Sequence, residues 1–178
     1  MFKTTGGKTT MRAVNLMSGI LNTAIATGIA TLTYFSHIEE VRAASYAQEQ
    51  EQLVCMAQNV YFESRSETME GMVAVAFVTL NRVEHRQWPN DICGVVYQPS
   101  QFSWTNQIDV ANARLNNKAW NNAVYVARQV LAGHFEDPTN GATFYHADYI
   151  RKPHWTRQME VSTVIGQHIF YVWDGRWN

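Results

Sequence analysis

The sequence predicts an α+β domain, and three observations predict it. Helical periodicity recurs in three stretches beyond residue 50, three shorter stretches have strand character, and no Pro- or Gly-rich linker divides them. The chain has 178 residues and a hydrophobic content of 46%, enough for one real core. Its net charge of -1 provides no global field to attract nucleic acid or an anionic membrane.

At the N-terminus, Lys3, Lys8 and Arg12 precede a mostly uncharged run from Ala13 to Phe35, and Glu39 and Glu40 follow it. That order is the order of an export signal, and Val41-Arg42-Ala43 resembles a small-x-small cleavage site. The run exceeds the roughly 20 residues that span a bilayer, yet Asn15, Ser18, Asn22, Thr23, Thr27, Thr31 and Thr33 interrupt it. Residues 1–44 are therefore expected to be a signal peptide or signal anchor, with an amphipathic or disordered arm as the alternative. The positive flank places the N-terminus in the cytoplasm and the remainder in the periplasm or envelope. Residues 45–178 are the folded domain.

The first core helix is expected from Glu51 to Glu63, where Val54, Ala57 and Tyr61 recur at helical spacing and Leu53, Met56 and Val60 widen the face. Ser64-Arg65-Ser66-Glu67 breaks the pattern, with Ser66 as the expected cap of a second helix. Glu67, Thr68 and Glu70 put acidic or polar oxygens at the positive end of that helix. The second helix, Met69 to His85, is apolar almost all round and so belongs in the core. A short elbow packs the two helices together and leaves Glu63 at the rim of a cleft. A carboxylate ending a mostly apolar helix is partly desolvated, which raises its pKa and lets it serve as a general acid.

Trp88-Pro89-Asn90-Asp91 is a turn, and Ile92 to Tyr97 is a short apolar segment, helix or strand. Gln101-Phe102-Ser103-Trp104 alternates as a strand would, with Gln101 and Ser103 on its wet face. Thr105 to Asn117 is polar and irregular, or carries a short helix. A third helix is expected from Ala119 to Ala132 with Gly133 as its C-cap. Asp137 to Gly141 is a turn, Ala142 to Ala147 a strand, Pro153-His154-Trp155 an aromatic loop, and Val164 to Trp173 a closing strand. The two cysteines, Cys55 and Cys93, permit one disulfide in a chain that looks exported; two buried free thiols are the alternative. Neither CxxC nor HExxH is present, so no metal and no cofactor are expected.

Five blocks in order, CMAQNVYFESRSE, GMVAVAFVTLNRV, PNDICGVVYQPSQFSW, GATFYHADYIRKPHW and IGQHIFY, resemble the spore-cortex-lytic type of bacterial and phage cell wall hydrolases. The resemblance runs from about Leu53 to Trp173. It implies a lysozyme-like helical core with a small antiparallel β-sheet, behind the N-terminal signal or membrane-anchor helix. It further implies a lytic transglycosylase that cleaves the MurNAc–GlcNAc β-1,4 bond of peptidoglycan, with Glu63 as its catalytic glutamate. Where the family more often carries Ala-Arg-Gly-Glu, this chain has Ser64-Arg65-Ser66-Glu67, and Ser100 stands where many relatives carry Cys.

Such an enzyme needs one acid/base, whereas a water-using hydrolase normally needs a second carboxylate. Glu67 and Glu70 lie beside Glu63 rather than across a sugar, so one glutamate and a non-hydrolytic outcome are favoured. Gln101, Ser103, Tyr145 and His146, on strand candidates, and Trp155, with a flat face, are the candidate substrate contacts; His146 reads equally as an ordinary strand residue. For Phe102, Trp104 and Phe144, core packing is the better reading. Asn81 and Arg82 either support Glu63 or merely end their helix. Peptidoglycan glycan strands are the expected partner of a monomer, with the inner membrane reached through the N-terminal segment. The setting is a phage endolysin or an exported wall-remodelling enzyme. A wall-binding module without catalysis and a membrane-anchored structural protein are the competing classes.

Overall fold

The computed structural model describes residues 9–110, 115 and 117–173, with side chains from residue 34 onward. The chain divides into two compact units, Met1–Ala47 and Gln48–Asn178. Helix α1 is Thr9–Ser64, far longer than the helix expected from Glu51. In the first unit, Arg42 pairs with Glu39 one turn away at 3.2 Å on an exposed surface. Lys3 and Lys8 of the expected export flank lie outside the described residues, as do the side chains of the run up to residue 33. Among the described residues no helix is long and apolar enough to cross a membrane.

The second unit is arranged around α2, Met69–Glu84. Thr68, not Ser66, caps it: the Thr68 hydroxyl accepts from the Gly71 N–H at 3.3 Å. The Glu67 N–H bonds the Ser64 carbonyl at 2.9 Å, and the cap falls two residues later than expected. The rest of the unit comprises α3, Ile92–Val96, α4, Lys118–Leu131, and the strands β1, Phe144–Ala147, β2, Glu160–Ile165, and β3, His168–Val172.

Helix α2 has two apolar faces because it serves two cores. Met72, Val73 and Ala76 pack with Met56, Ala57 and Val60 of α1, Ile92 and Val96 of α3, and Ala123, Val126, Ala127 and Val130 of α4. Ala74 and Val78 pack with Ala142, Ile165 and Phe170 on the sheet side. Each fully buried Val, Ile, Met or Phe side chain contributes about 1.5–3 kcal/mol, and this explains a helix with no polar stripe.

Asp91 caps α3 through the Gly94 N–H at 2.8 Å, while the Gln52 side chain of α1 accepts from the Ile92 and Cys93 N–H groups at 2.7 and 3.2 Å. Cys55 and Cys93 are joined by a disulfide that ties α3 to α1. Asn117 caps α4 by accepting from the Trp120 N–H at 2.9 Å, and Gly133, at φ 72°, ends it in the left-handed region. Of the segment expected to be irregular, residues 111–114 and 116 lie outside the description.

The sheet is antiparallel in the order β1-β3-β2. Two of the three expected strands differ from what forms. Gln101–Trp104 is not a strand: Ser103–Asn106 is a 3-10 turn preceded by Phe102 as its N-cap residue, and Phe102 and Trp104 are both buried in the helical core. The Thr105 hydroxyl bonds the Phe102 carbonyl at 2.8 Å, a local bond that replaces a strand ladder. The single closing strand from Val164 is instead the end of a hairpin. Ile165 pairs with His168 across the two-residue turn Gly166-Gln167, and Gly166 supplies the positive φ of 56°. The aromatic loop after Pro153 is likewise a 3-10 turn, His154–Gln158.

Candidate active site

Glu63 lies in the last turn of α1, where the Ser64 hydroxyl bonds back to the Val60 carbonyl at 2.7 Å and closes the helix end. A cavity of about 450 Å³ opens beside it, lined among others by Glu63, Ser103, Tyr145, His146, Tyr149 and Trp155. The Tyr145 hydroxyl donates to Glu63 Oε2 at 3.0 Å. Burial raises the Glu63 pKa; the Tyr145 hydrogen bond and the Arg82 charge pull it back without cancelling the rise. A carboxyl that resists ionisation while facing a cavity is suited to donate a proton.

Arg82, on α2, is only 5% exposed. Its Nε donates to the Thr143 carbonyl at 2.8 Å, and its guanidinium lies 5.3 Å from the Phe102 ring centroid and 5.6 Å from that of Phe144. The residue that ends the helical pattern in sequence is thus a buried cation beside the carboxyl. Its neighbour Asn81 donates to Asp137 Oδ2 at 3.0 Å and to the Ala142 carbonyl at 2.9 Å, setting the turn that starts β1.

The expected contact residues divide. Ser103, Tyr145, His146 and Trp155 share the cavity wall with Glu63; Gln101 is not on that wall. The pairings Tyr145↔Phe170 and His146↔Ile169 put Tyr145 and His146 on opposite faces of the sheet. His146 has both ring nitrogens engaged, Nδ1 with the Ala147 carbonyl at 2.8 Å and Nε2 with the Tyr171 hydroxyl at 2.9 Å. A carbonyl only accepts, so Nδ1 carries the proton and Nε2 accepts from Tyr171. Trp155 is half-buried, with its ring 5.4 Å from Tyr171 and 5.3 Å from Phe144. The exposed aromatic on the wall is Tyr149, 74% exposed. His168 and Phe62 also line the cavity without having been singled out in sequence. Phe62 directly precedes Glu63, whereas nothing local marks His168, which reaches the cavity only through strand pairing.

Among the cavity-lining residues Glu63 is the single carboxylate. Glu67 is held elsewhere, accepting from the Gln167 N–H at 3.3 Å. Among the described residues no group of His, Cys, Asp and Glu side chains could hold a metal ion.

The profile of the Cell Wall Hydrolase family matches residues 66–171. The chain belongs to that family. The matched stretch begins at Ser66, so Glu63 lies just ahead of it. The chain is 34% identical over 115 residues to a spore cortex-lytic enzyme of Halalkalibacterium halodurans, a match covering 65% of this chain and 33% of that one. It is 34% identical over 125 residues to a spore cortex-lytic enzyme of Bacillus cereus, covering 70% and 45%. The chain thus spans less than half the length of these curated relatives. The crystal structure of the catalytic domain of the Bacillus cereus SleB protein is similar at a TM-score of 0.57 and 32% identity, over 69% of this chain and 91% of that one. The catalytic domain of the germination-specific lytic transglycosylase SleB from Bacillus anthracis is similar at a TM-score of 0.56 and 34% identity, over 69% and 95%. The helical core and three-stranded antiparallel sheet agree with that fold.

Proposed function

We propose that this cell wall hydrolase cleaves the MurNAc–GlcNAc β-1,4 bond of peptidoglycan as a lytic transglycosylase, with Glu63 as its sole acid/base. The observation that carries this reading is one carboxyl with a raised pKa, hydrogen-bonded by Tyr145, on a cavity wall with no second carboxylate. The Glu63 carboxyl protonates the bridging oxygen as the C1–O bond breaks. The resulting carboxylate takes the proton of the MurNAc C6 hydroxyl, whose oxygen bonds to C1 and gives a 1,6-anhydro end. Water takes no part. A hydrolase would need a second carboxylate about 5–9.5 Å away. Similarity to a protein described as a lytic transglycosylase supports the same reaction. Ser103, Tyr145 and Trp155 are the substrate contacts in this reading, with Tyr149 beside them.

The domain acts as a monomer outside the cytoplasm, with residues 1–44 as its export signal or anchor. The Cys55–Cys93 disulfide supports export, since such bonds persist in oxidising compartments. Endolysin and wall-remodelling roles share this chemistry and are separated by when the protein is made.

Mass spectrometry of muropeptides after digestion of purified cell wall tests the reaction: anhydro ends are expected, and reducing ends would refute it. Glu63→Gln should abolish clearing in a cell-wall zymogram while the circular dichroism spectrum is retained. Clearing at near wild-type rate would remove Glu63 from the role. Fractionation with N-terminal sequencing tests the leader, and light scattering the monomer.

A further inference from the structure

We infer that Glu67 is a positioning residue for the acid, acting through His168 and Tyr145; this rests on the reading of Glu63 given above. Glu67 lies in the elbow, one helical turn beyond Glu63 in sequence, yet its side chain is only 5% exposed and faces the β2–β3 turn. Its carboxylate accepts from the Gln167 N–H, with Oε1 at 3.4 Å and Oε2 at 3.3 Å. Oε1 also lies 3.6 Å from Nδ1 of His168, whose side chain is 8% exposed.

Two glycines make room for Glu67. A Cβ on Gly166 would come within 1.9 Å of its Oε2, and one on Gly71 within 2.9 Å of its Cβ. Any side chain at Gly166 would therefore evict the carboxylate, besides straining a backbone at φ 56°. A solvated helix-start glutamate would need neither glycine.

His168 carries the placement onward. Its ring stands edge-on to Tyr145, with centroids 5.2 Å apart and planes at 90°. Register puts both residues on the same face of the sheet, His168 opposite Ala147 and Tyr145 opposite Phe170. The Tyr145 hydroxyl then donates to Glu63. The groups acting on His168 are Glu67 and Asp148, which favour its charged form, and His146, which opposes it; burial outweighs them and lowers its pKa. Glu67 thus packs against the His168 ring, 3.6 Å from Nδ1 and beyond hydrogen-bond reach, and fixes its place by contact. Those acting on Glu63 are Tyr145 and Arg82. Glu67 is thus joined to the acid by a path of packed rings, although it lines no part of the cavity.

The test is the Glu63 titration, read by carbon NMR of labelled glutamate carboxyls in the full chain without substrate, alongside steady-state kinetics on cell wall. Glu67→Ala is expected to loosen the Tyr145 bond, which favours the charged form of Glu63. The Glu63 midpoint and the alkaline limb of kcat then move up, by as much as about one pH unit if the bond is lost. The kcat falls about tenfold with KM within about twofold. Combined with Tyr145→Phe, the shift should not add, because both changes act through one bond. His168→Ala, which leaves the elbow intact, should move the midpoint in the same direction and serves if Glu67→Ala fails to fold. An unmoved Glu63 midpoint in the folded variant, or a shift that adds to that of Tyr145→Phe, overturns the inference. Failure of wild-type protein to cleave cell wall would instead remove the proposed function, and the NMR titration would still decide the positioning role.

Discussion

The Tyr145 hydroxyl donates a 3.0 Å hydrogen bond to Oε2 of Glu63, across 82 residues of sequence. One residue ends α1 and the other sits in the middle of β1, so the bond forms only when the sheet docks on α2. A carboxylate accepts this bond better than a neutral carboxyl, so it lowers the Glu63 pKa while burial raises it.

Tyr145→Phe removes the donor and keeps the ring. The Glu63 pKa should rise further, and the alkaline limb of the pH–rate profile should move up by about one unit. A limb that stays in place or moves down would separate Tyr145 from the acid.

Glu63 should cost stability near neutral pH. Its folded-state pKa lies above its unfolded value, so the stability is full below the unfolded pKa and falls as pH rises through the folded one. Glu63→Gln, which carries no charge at any pH, should therefore melt above wild type at pH 7. The gap should close as the pH is lowered into the ordinary carboxylate range. Calorimetry across pH measures it, and a gap independent of pH would contradict the buried-acid assignment.

Reduction of Cys55–Cys93, or Cys93→Ala with Cys55→Ala, opens a loop with a sequence separation of 38. Chain entropy puts the loss at about 4 kcal/mol. Urea unfolding with and without reductant checks the value, and a loss under about 1 kcal/mol would mean that core packing of Ile92 and Val96 and the Gln52 bonds hold α3 without the disulfide.

Asp137 shows the opposite pH dependence to Glu63. Burial favours its neutral form, but bonds from Thr139, Asn81 and Gly141 outweigh this and hold its pKa below the usual value. Its stability contribution is present above the unfolded pKa and is lost as pH falls through the folded one. Asn81→Ala should cost about 1–3 kcal/mol at pH 7, and less once Asp137 is protonated. An equal cost at pH 2 and pH 7 in denaturant titrations would exclude the charged form as the partner.

The helices were legible because their signals are local. Val54, Ala57 and Tyr61 mark α1, the unbroken apolar run marks α2, and Trp120 to Leu131 marks α4. The Gln101–Trp104 alternation misled because a 3-10 turn can also bury every second residue, as Phe102 and Trp104 do here. Gly166 was the available sign that the last strand was a hairpin, since a glycine inside a strand pattern marks a break.

By itself the sequence determined the α+β class, the family resemblance and the candidacy of Glu63, because periodicity and motif order are written along the chain. Only the tertiary structure decided what surrounds that carboxyl. Tyr145, Arg82 and His168 come from β1, α2 and β3, and burial is a property of packed surfaces rather than of neighbours in sequence. The same holds for Glu67, an ordinary helix-start acid in the sequence that the fold carries into the turn between two strands.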